Sequence, residues 1–201
     1  MFLPYFAVCT ATAMLVSLWK KGNQNTKKVK INCIQYGDEE IPRDERCTVL
    51  HLSDLHLELN SVTPERLQAL LKDKPFDLVV FTGDFLDRAK SIPKLVPFLR
   101  AIRALKPDVP MYAVLGNHDY VLKGAQLKAL ISTLKQHGCA VLRNENLSVS
   151  IKGRRINLIG IDDYSTGRSD VDKAYAGLAN GAFNLVLTHD PNVVLTMRGR
   201  A

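Results

Sequence analysis

Four short apolar runs, each ending in an acid, a histidine or an asparagine, constrain this chain more than any other feature of its sequence. Cys47–Ser53 leads into Asp54-Leu55-His56, and Asp77–Thr82 into Gly83-Asp84. Pro110–Leu115 leads into Gly116-Asn117-His118-Asp119, and Phe183–Thr188 into His189-Asp190. Helical spacing separates the first three runs. Pro64–Lys72 repeats leucine at Leu67, Leu70 and Leu71, with Pro64 at a first helical position. Ile92–Leu105 gathers Leu95, Phe98, Leu99, Ile102 and Leu105 on one face. Gly124–His137 stops before Gly138, the usual residue past a helix C-terminus. This alternation predicts an α/β fold, a parallel sheet covered by helices. Ligands bind such sheets at the carboxyl ends of the strands, so the four polar clusters are expected on one rim.

The rhythm changes past Ala140. Short strands are predicted at Ala140–Arg143, Leu147–Ile151 and Ile156–Ile161, then a helix near Val171–Leu178 before the last apolar run. Upstream, Gly22–Lys28 reads as a polar linker, Lys30–Tyr36 as a lead-in strand and Gly37–Arg46 as a charged loop. No internal repeat or low-complexity tract is present.

The strand-end residues carry the chemistry. Asp54 and His56 are two apart, so an extended backbone would point both to one side. Gly83 and Gly116 permit a sharp turn just before a ligand residue. Carboxylates, imidazoles and one amide make a mixed oxygen and nitrogen donor set, suited to Mn, Fe or Zn rather than to a thiolate site. Asp84 has two oxygens and could bridge ions about 3.5–4 Å apart, the geometry used for phosphoester cleavage. The four cysteines form no CxxC pair. That argues against a zinc finger or disulfide scaffold and for a reducing compartment.

The ordered series DxH, GDxxD, GNHD and THD, each after an apolar strand, resembles the calcineurin-like metallophosphoesterases. Within them it is most similar to a membrane-anchored bacterial branch, in which an N-terminal apolar segment precedes LSDLH and a GIDD…GRSD stretch precedes THDP. The resemblance covers Val29 to Pro191 and implies an α/β/β/α sandwich with two divalent ions. Asp54 and His56 would hold the first ion, Asp84 would bridge both, and Asn117 and His189 would hold the second. Water would be the nucleophile, His118 would donate a proton to the leaving oxygen, and Asp119 would orient His118. The family's Gly-His-x-His segment, with one histidine for each metal, has no counterpart here, since no histidine follows His189. The expectation is a sandwich incomplete at its C-terminus, either a fragment or a natural truncation.

Phe2–Trp19 carries no charge. As a helix it would span about 27 Å, just short of a hydrocarbon core of roughly 30 Å. Lys20, Lys21, Lys27, Lys28 and Lys30 follow it, so the positive-inside rule puts the remainder in the cytoplasm. Residues 1–20 are thus expected to be a membrane anchor, 21–46 a basic linker with its lead-in strand, and 47–201 the phosphoesterase domain at the inner membrane. The net charge of +7 is concentrated beside the anchor. It is better matched to anionic headgroups than to nucleic acid, because no basic patch is interleaved with aromatic residues.

Blander roles fall to other residues. His51 is read as a core histidine facing away from the metals, His137 as a helix cap and Cys139 as a buried apolar residue. Asp87 is either a partner of the metal ligands or a loop acid, and Asp162 and Asp163 are assigned no metal. The leading function is a two-metal hydrolase of a phosphate ester or pyrophosphate at the membrane face. The resemblance implies a nucleotide-sugar lipid such as UDP-2,3-diacylglucosamine. The alternative is a truncated, metal-poor and inactive homologue, with a nuclease ranked below both.

Overall fold

The computed structural model describes residues 3–26, 28–37, 42, 46–197 and 199. A helix, α1 (Leu3–Thr26), comes first. It runs on through Gly22–Thr26, where a linker was expected, and Thr26 Oγ1 closes it by donating to the Asn23 carbonyl. Among the described residues no helix is long and apolar enough to cross a membrane; the expected anchor, residues 1–20, falls largely on residues whose side chains lie outside that description. The uncharged run is diluted by Pro4, Tyr5, Thr10, Thr12 and Ser17, and the helix beyond Trp19 is made of Lys20, Lys21, Gly22, Asn23 and Gln24. No strand forms at Lys30–Tyr36. Ile34 is 94% exposed and Tyr36 88%, so this segment pairs with no sheet edge and has no face to bury. The expected charged loop at Gly37–Arg46 lies mostly outside the described residues.

The first sheet is parallel, in the order β1 (Val49–Leu52), β2 (Leu78–Thr82), β3 (Met111–Val114) and β4 (Cys139–Val141). Its crossovers are α2 (Pro64–Leu71), α3 (Ile92–Leu105) and α4 (Ala125–Gln136). Thr63 caps α2 by accepting the Arg66 amide, with Pro64 at the start where its missing N–H costs nothing. The second sheet has β6 (Arg154–Gly160) at its centre, antiparallel to β5 (Glu145–Ile151) and parallel to β7 (Phe183–Leu187). The helix near Val171 is a single turn, α5 (Val171–Ala174).

Alternation along β2 sets the layers. Val79 and Phe81 pack with Leu95, Leu99, Ile102 and Leu130 of the crossover helices. Leu78 and Val80 face the other way, onto Ile156, Leu158 and Leu187 of the second sheet. Ile159 of β6 then meets Ala174 and Val193 on the outer side. The central strands β2 and β3 of the first sheet are therefore covered on both faces, which is why they read as continuous apolar runs. All four strands of that sheet point the same way, so their carboxyl ends share one rim. Cys139 is fully buried at the start of β4, and His137 caps α4 with Nδ1 2.9 Å from the Thr133 carbonyl.

Candidate metal centre and active site

The rim is built by backbone that leaves the strand conformation at the residues that matter. Asp54, His56 and Asp84 have φ of 55°, 37° and 55°, in the left-handed region that costs a non-glycine residue about 1–3 kcal/mol. Strand alternation is therefore not what brings Asp54 and His56 to one side. A turn does so, laid along the next loop by three backbone bonds: Asp54 to Gly83 at 3.1 Å, His56 to Asp84 at 3.0 Å and Leu57 to Phe85 at 3.0 Å. Gly83, with φ 89°, supplies the turn expected of it. Gly116 acts differently, by close approach. A Cβ there would overlap the Asp84 carboxylate.

Asp84 is the centre of the cluster. Its Oδ2 lies 3.5 Å from His56 Nε2 and 3.4 Å from His189 Nε2, and its Oδ1 accepts the His118 amide at 3.0 Å. His56 Nε2 is also 3.8 Å from Asp54 Oδ1, and His189 Nε2 is 3.2 Å from Asn117 Oδ1. All five residues expected as metal ligands are thus brought together around one buried carboxylate. Burial pushes the Asp84 carboxyl up, but the His189 hydrogen bond, the His118 amide and the charge of both histidines outweigh it and hold the group below its ordinary value. The His189 imidazole is raised to about 9, chiefly by its hydrogen bond to Asp84, with burial opposing. His189 Nδ1 lies 2.7 Å from the Thr82 carbonyl. A carbonyl only accepts, so Nδ1 carries a hydrogen and Nε2 is the nitrogen turned to Asp84.

Divalent ions fit this set. Ligand atoms of Asp54, His56 and Asp84 lie within 4.8 Å of one another, and the donors are carboxylate oxygens and imidazole nitrogens. A second group within the same limit is His56, Asp87 and His118. It shares His56 with the first.

Asp119 does not orient His118. Its buried carboxylate accepts four backbone amides: Asp84 at 2.9 Å and Gly116 at 3.0 Å on Oδ2, Phe85 at 2.9 Å and Leu86 at 3.3 Å on Oδ1. Burial pushes this carboxyl up to about 7 against the pull of those amides, and the Asp84 charge adds to the rise. The partner of His118 is Asp87, whose Oδ1 lies 2.7 Å from His118 Nδ1 and 3.6 Å from His56 Nδ1. The GDxxD spacing held this signal, since Asp87 lies three residues after Asp84 in the same loop, but only the packed loop tells which histidine it meets. His51 also departs from expectation. It is exposed, with Nε2 2.7 Å from Thr82 Oγ1. Asp162 and Asp163 are buried. Asp162 takes Arg143 Nε at 3.2 Å and the Tyr120 hydroxyl, and Asp163 accepts the Thr166 amide at 2.8 Å to close its own turn.

Residues 47–199 match the family described as calcineurin-like phosphoesterase. The chain belongs to that family. As a calcineurin-like phosphoesterase it stands among the metal-dependent phosphoric ester hydrolases, and the family binds divalent metals. It is similar to the Bacillus subtilis protein described as uncharacterized metallophosphoesterase YkoQ, with 47% identity over 96% of this chain and 72% of that protein. The UDP-2,3-diacylglucosamine pyrophosphatase LpxG of Chlamydia muridarum is 25% identical over 73% of this chain and 57% of its own length. Phosphodiesterase YaeI of Escherichia coli is 28% identical over 75% of this chain and 55% of its own length. The chain thus spans little more than half of these last two relatives.

Proposed function

We propose that this calcineurin-like phosphoesterase hydrolyses a phosphate ester or pyrophosphate with two divalent ions, Mn being the first candidate and Fe or Zn the others. Asp54 and His56 would hold one ion, Asn117 and His189 the second, and Asp84 both. The observation that carries this reading is the meeting of His56 and His189 on the same oxygen of Asp84, at 3.5 and 3.4 Å. When bound, such ions polarise the phosphoryl oxygens and lower the pKa of an attacking water toward neutrality. The chain's own residues supply the rest. His118 gives a proton to the leaving oxygen as its bond to phosphorus breaks and the bond from water forms. Asp87, with Oδ1 2.7 Å from Nδ1, holds the imidazole from that side and leaves Nε2 to face the substrate. Asp119 fixes the spacing of the two ligand loops by binding both backbones.

A nucleotide-sugar lipid is the proposed substrate, supported by the similarity to LpxG and by apolar surface beside the cluster. The proposed location is the cytoplasmic face of the inner membrane. Exposed Met14, Leu15, Leu18 and Trp19, followed by Lys20, Lys21, Lys28 and Lys30, support contact with an anionic interface, which requires no span. The test of the activity is hydrolysis of an activated phosphodiester with Mn(II) by the wild-type chain and by Asp84→Ala. Loss in the variant supports the reading, and equal rates remove it. Sedimentation with anionic and neutral vesicles tests the location.

A further inference from the structure

A cavity of about 590 Å³ opens directly beside Asp54, His56 and His118, a volume within the range of small-molecule sites. Its far walls are apolar: Val29, Leu55, Leu59, Val62, Leu67 and Phe98. We propose that this chamber is a subsite for an uncharged, apolar substituent of the phosphoester, with its outer wall supplied by the segment that precedes the family domain. The inference rests on the hydrolase reading above and deepens it.

Three observations carry it. The first is that the charged groups in the lining are Asp54, Asp87, His56 and His118, all at the phosphorus end. Among the described residues no lysine or arginine lines the chamber, so a second phosphate or other anion placed against them would lose its hydration without a partner. The second is that polar oxygens of the wall are already committed within the protein. Ser61 Oγ donates to the Thr26 carbonyl at 2.7 Å, Asn60 Oδ1 accepts the Val62 amide at 2.8 Å, and Ser53 Oγ donates to Asp54. The third is that Val29 and Thr26 lie outside the family match, which begins at residue 47, yet Val29 lines the chamber and Thr26 is tied to Ser61. Selection of the substituent is thus shared between the domain and the segment that follows α1. The chamber is open to solvent at Leu59, which is 85% exposed, so it is an entry and not a packing void.

The test is binding of methyl-, butyl- and hexylphosphonate to the full chain with Mn(II), by calorimetry. Each buried methylene is worth about a three- to fourfold gain in affinity, so hexylphosphonate is expected to bind at least about tenfold tighter than methylphosphonate. Leu59→Ser and Val29→Ser, both at exposed positions where folding is not at stake, should each shrink that ratio by about threefold. Equal affinities across the series, or a ratio that neither variant alters, would overturn the subsite while leaving Mn(II)-dependent hydrolysis intact. Absence of binding by every phosphonate together with absence of hydrolysis would instead overturn the hydrolase reading, and this inference with it.

Discussion

The carboxylate of Asp119 holds the backbone amide of Asp84 at 2.9 Å, and the same oxygen holds the amide of Gly116 at 3.0 Å. One buried side chain therefore fastens the loop after β2 to the loop after β3, and those two loops carry Asp84 and Asn117. Asp119→Ala should leave four buried amides without acceptors. The expected loss is about 3 kcal/mol or more of stability, read from urea unfolding, together with weaker Mn(II) binding. Were Asp119 instead the orienting partner of His118, the variant would lose kcat with its stability unchanged.

His118 and Asp87 should behave as a unit. His118→Ala is expected to lower kcat by about 10²–10⁴ on esters whose leaving oxygen needs a proton. The loss should be much smaller on nitrophenyl esters, whose leaving group departs as the anion. Asp87→Asn should cost about ten- to a hundredfold with KM little changed, and adding it to His118→Ala should cost nothing further, since contacting residues are not additive. A leaving-group series on the three variants checks this.

Gly116→Ala tests the close approach beneath Asp84. The new methyl would meet the carboxylate itself, so the ligand must move. Mn(II) affinity is expected to fall by about ten- to a hundredfold, measured by titration. Gly22→Ala is the matched control, because a Cβ there meets nothing within 4 Å and a helical alanine is favoured over glycine by about 0.5–1 kcal/mol.

The amphipathic and apolar patterns made most of the scaffold legible. The helix Ile92–Leu105 falls where the spacing of Leu95, Phe98, Leu99 and Ile102 places it, because that face has a sheet to cover. The convergence of Asp54, His56, Asp84 and Asn117 was legible too, since parallel strands bring their ends to one rim, whereas His189 reaches that rim from β7 of the second sheet. What escaped depends on loops and on missing neighbours. The left-handed backbone at Asp54 and Asp84 is imposed by the adjoining loop and has no local signature. Asp87 and not Asp119 stands beside His118, because sequence distance from His118 does not reveal which carboxylate is buried under the amides. At Lys30–Tyr36 the β-branched residues read as a strand, but a strand needs a partner edge, and among the described residues this segment pairs with none, though Tyr36 meets the Phe183 ring at 6.1 Å. At Gly22–Thr26 the polar composition reads as linker, yet the helix already nucleated upstream carries through it, since extension needs no new nucleus.

The central claim, that side chains from four strand ends hold paired cations for phosphoester cleavage, is tested most directly by metal content and hydrolysis measured on the same samples. Wild type and Asp84→Ala would be loaded with Mn(II), dialysed, assayed for bound metal by mass spectrometry and for turnover of an activated phosphodiester. The account predicts about two ions per wild-type chain, and in Asp84→Ala a loss of both metal and turnover. A wild-type chain that retains no metal, or a variant that turns over as fast as wild type, would contradict it.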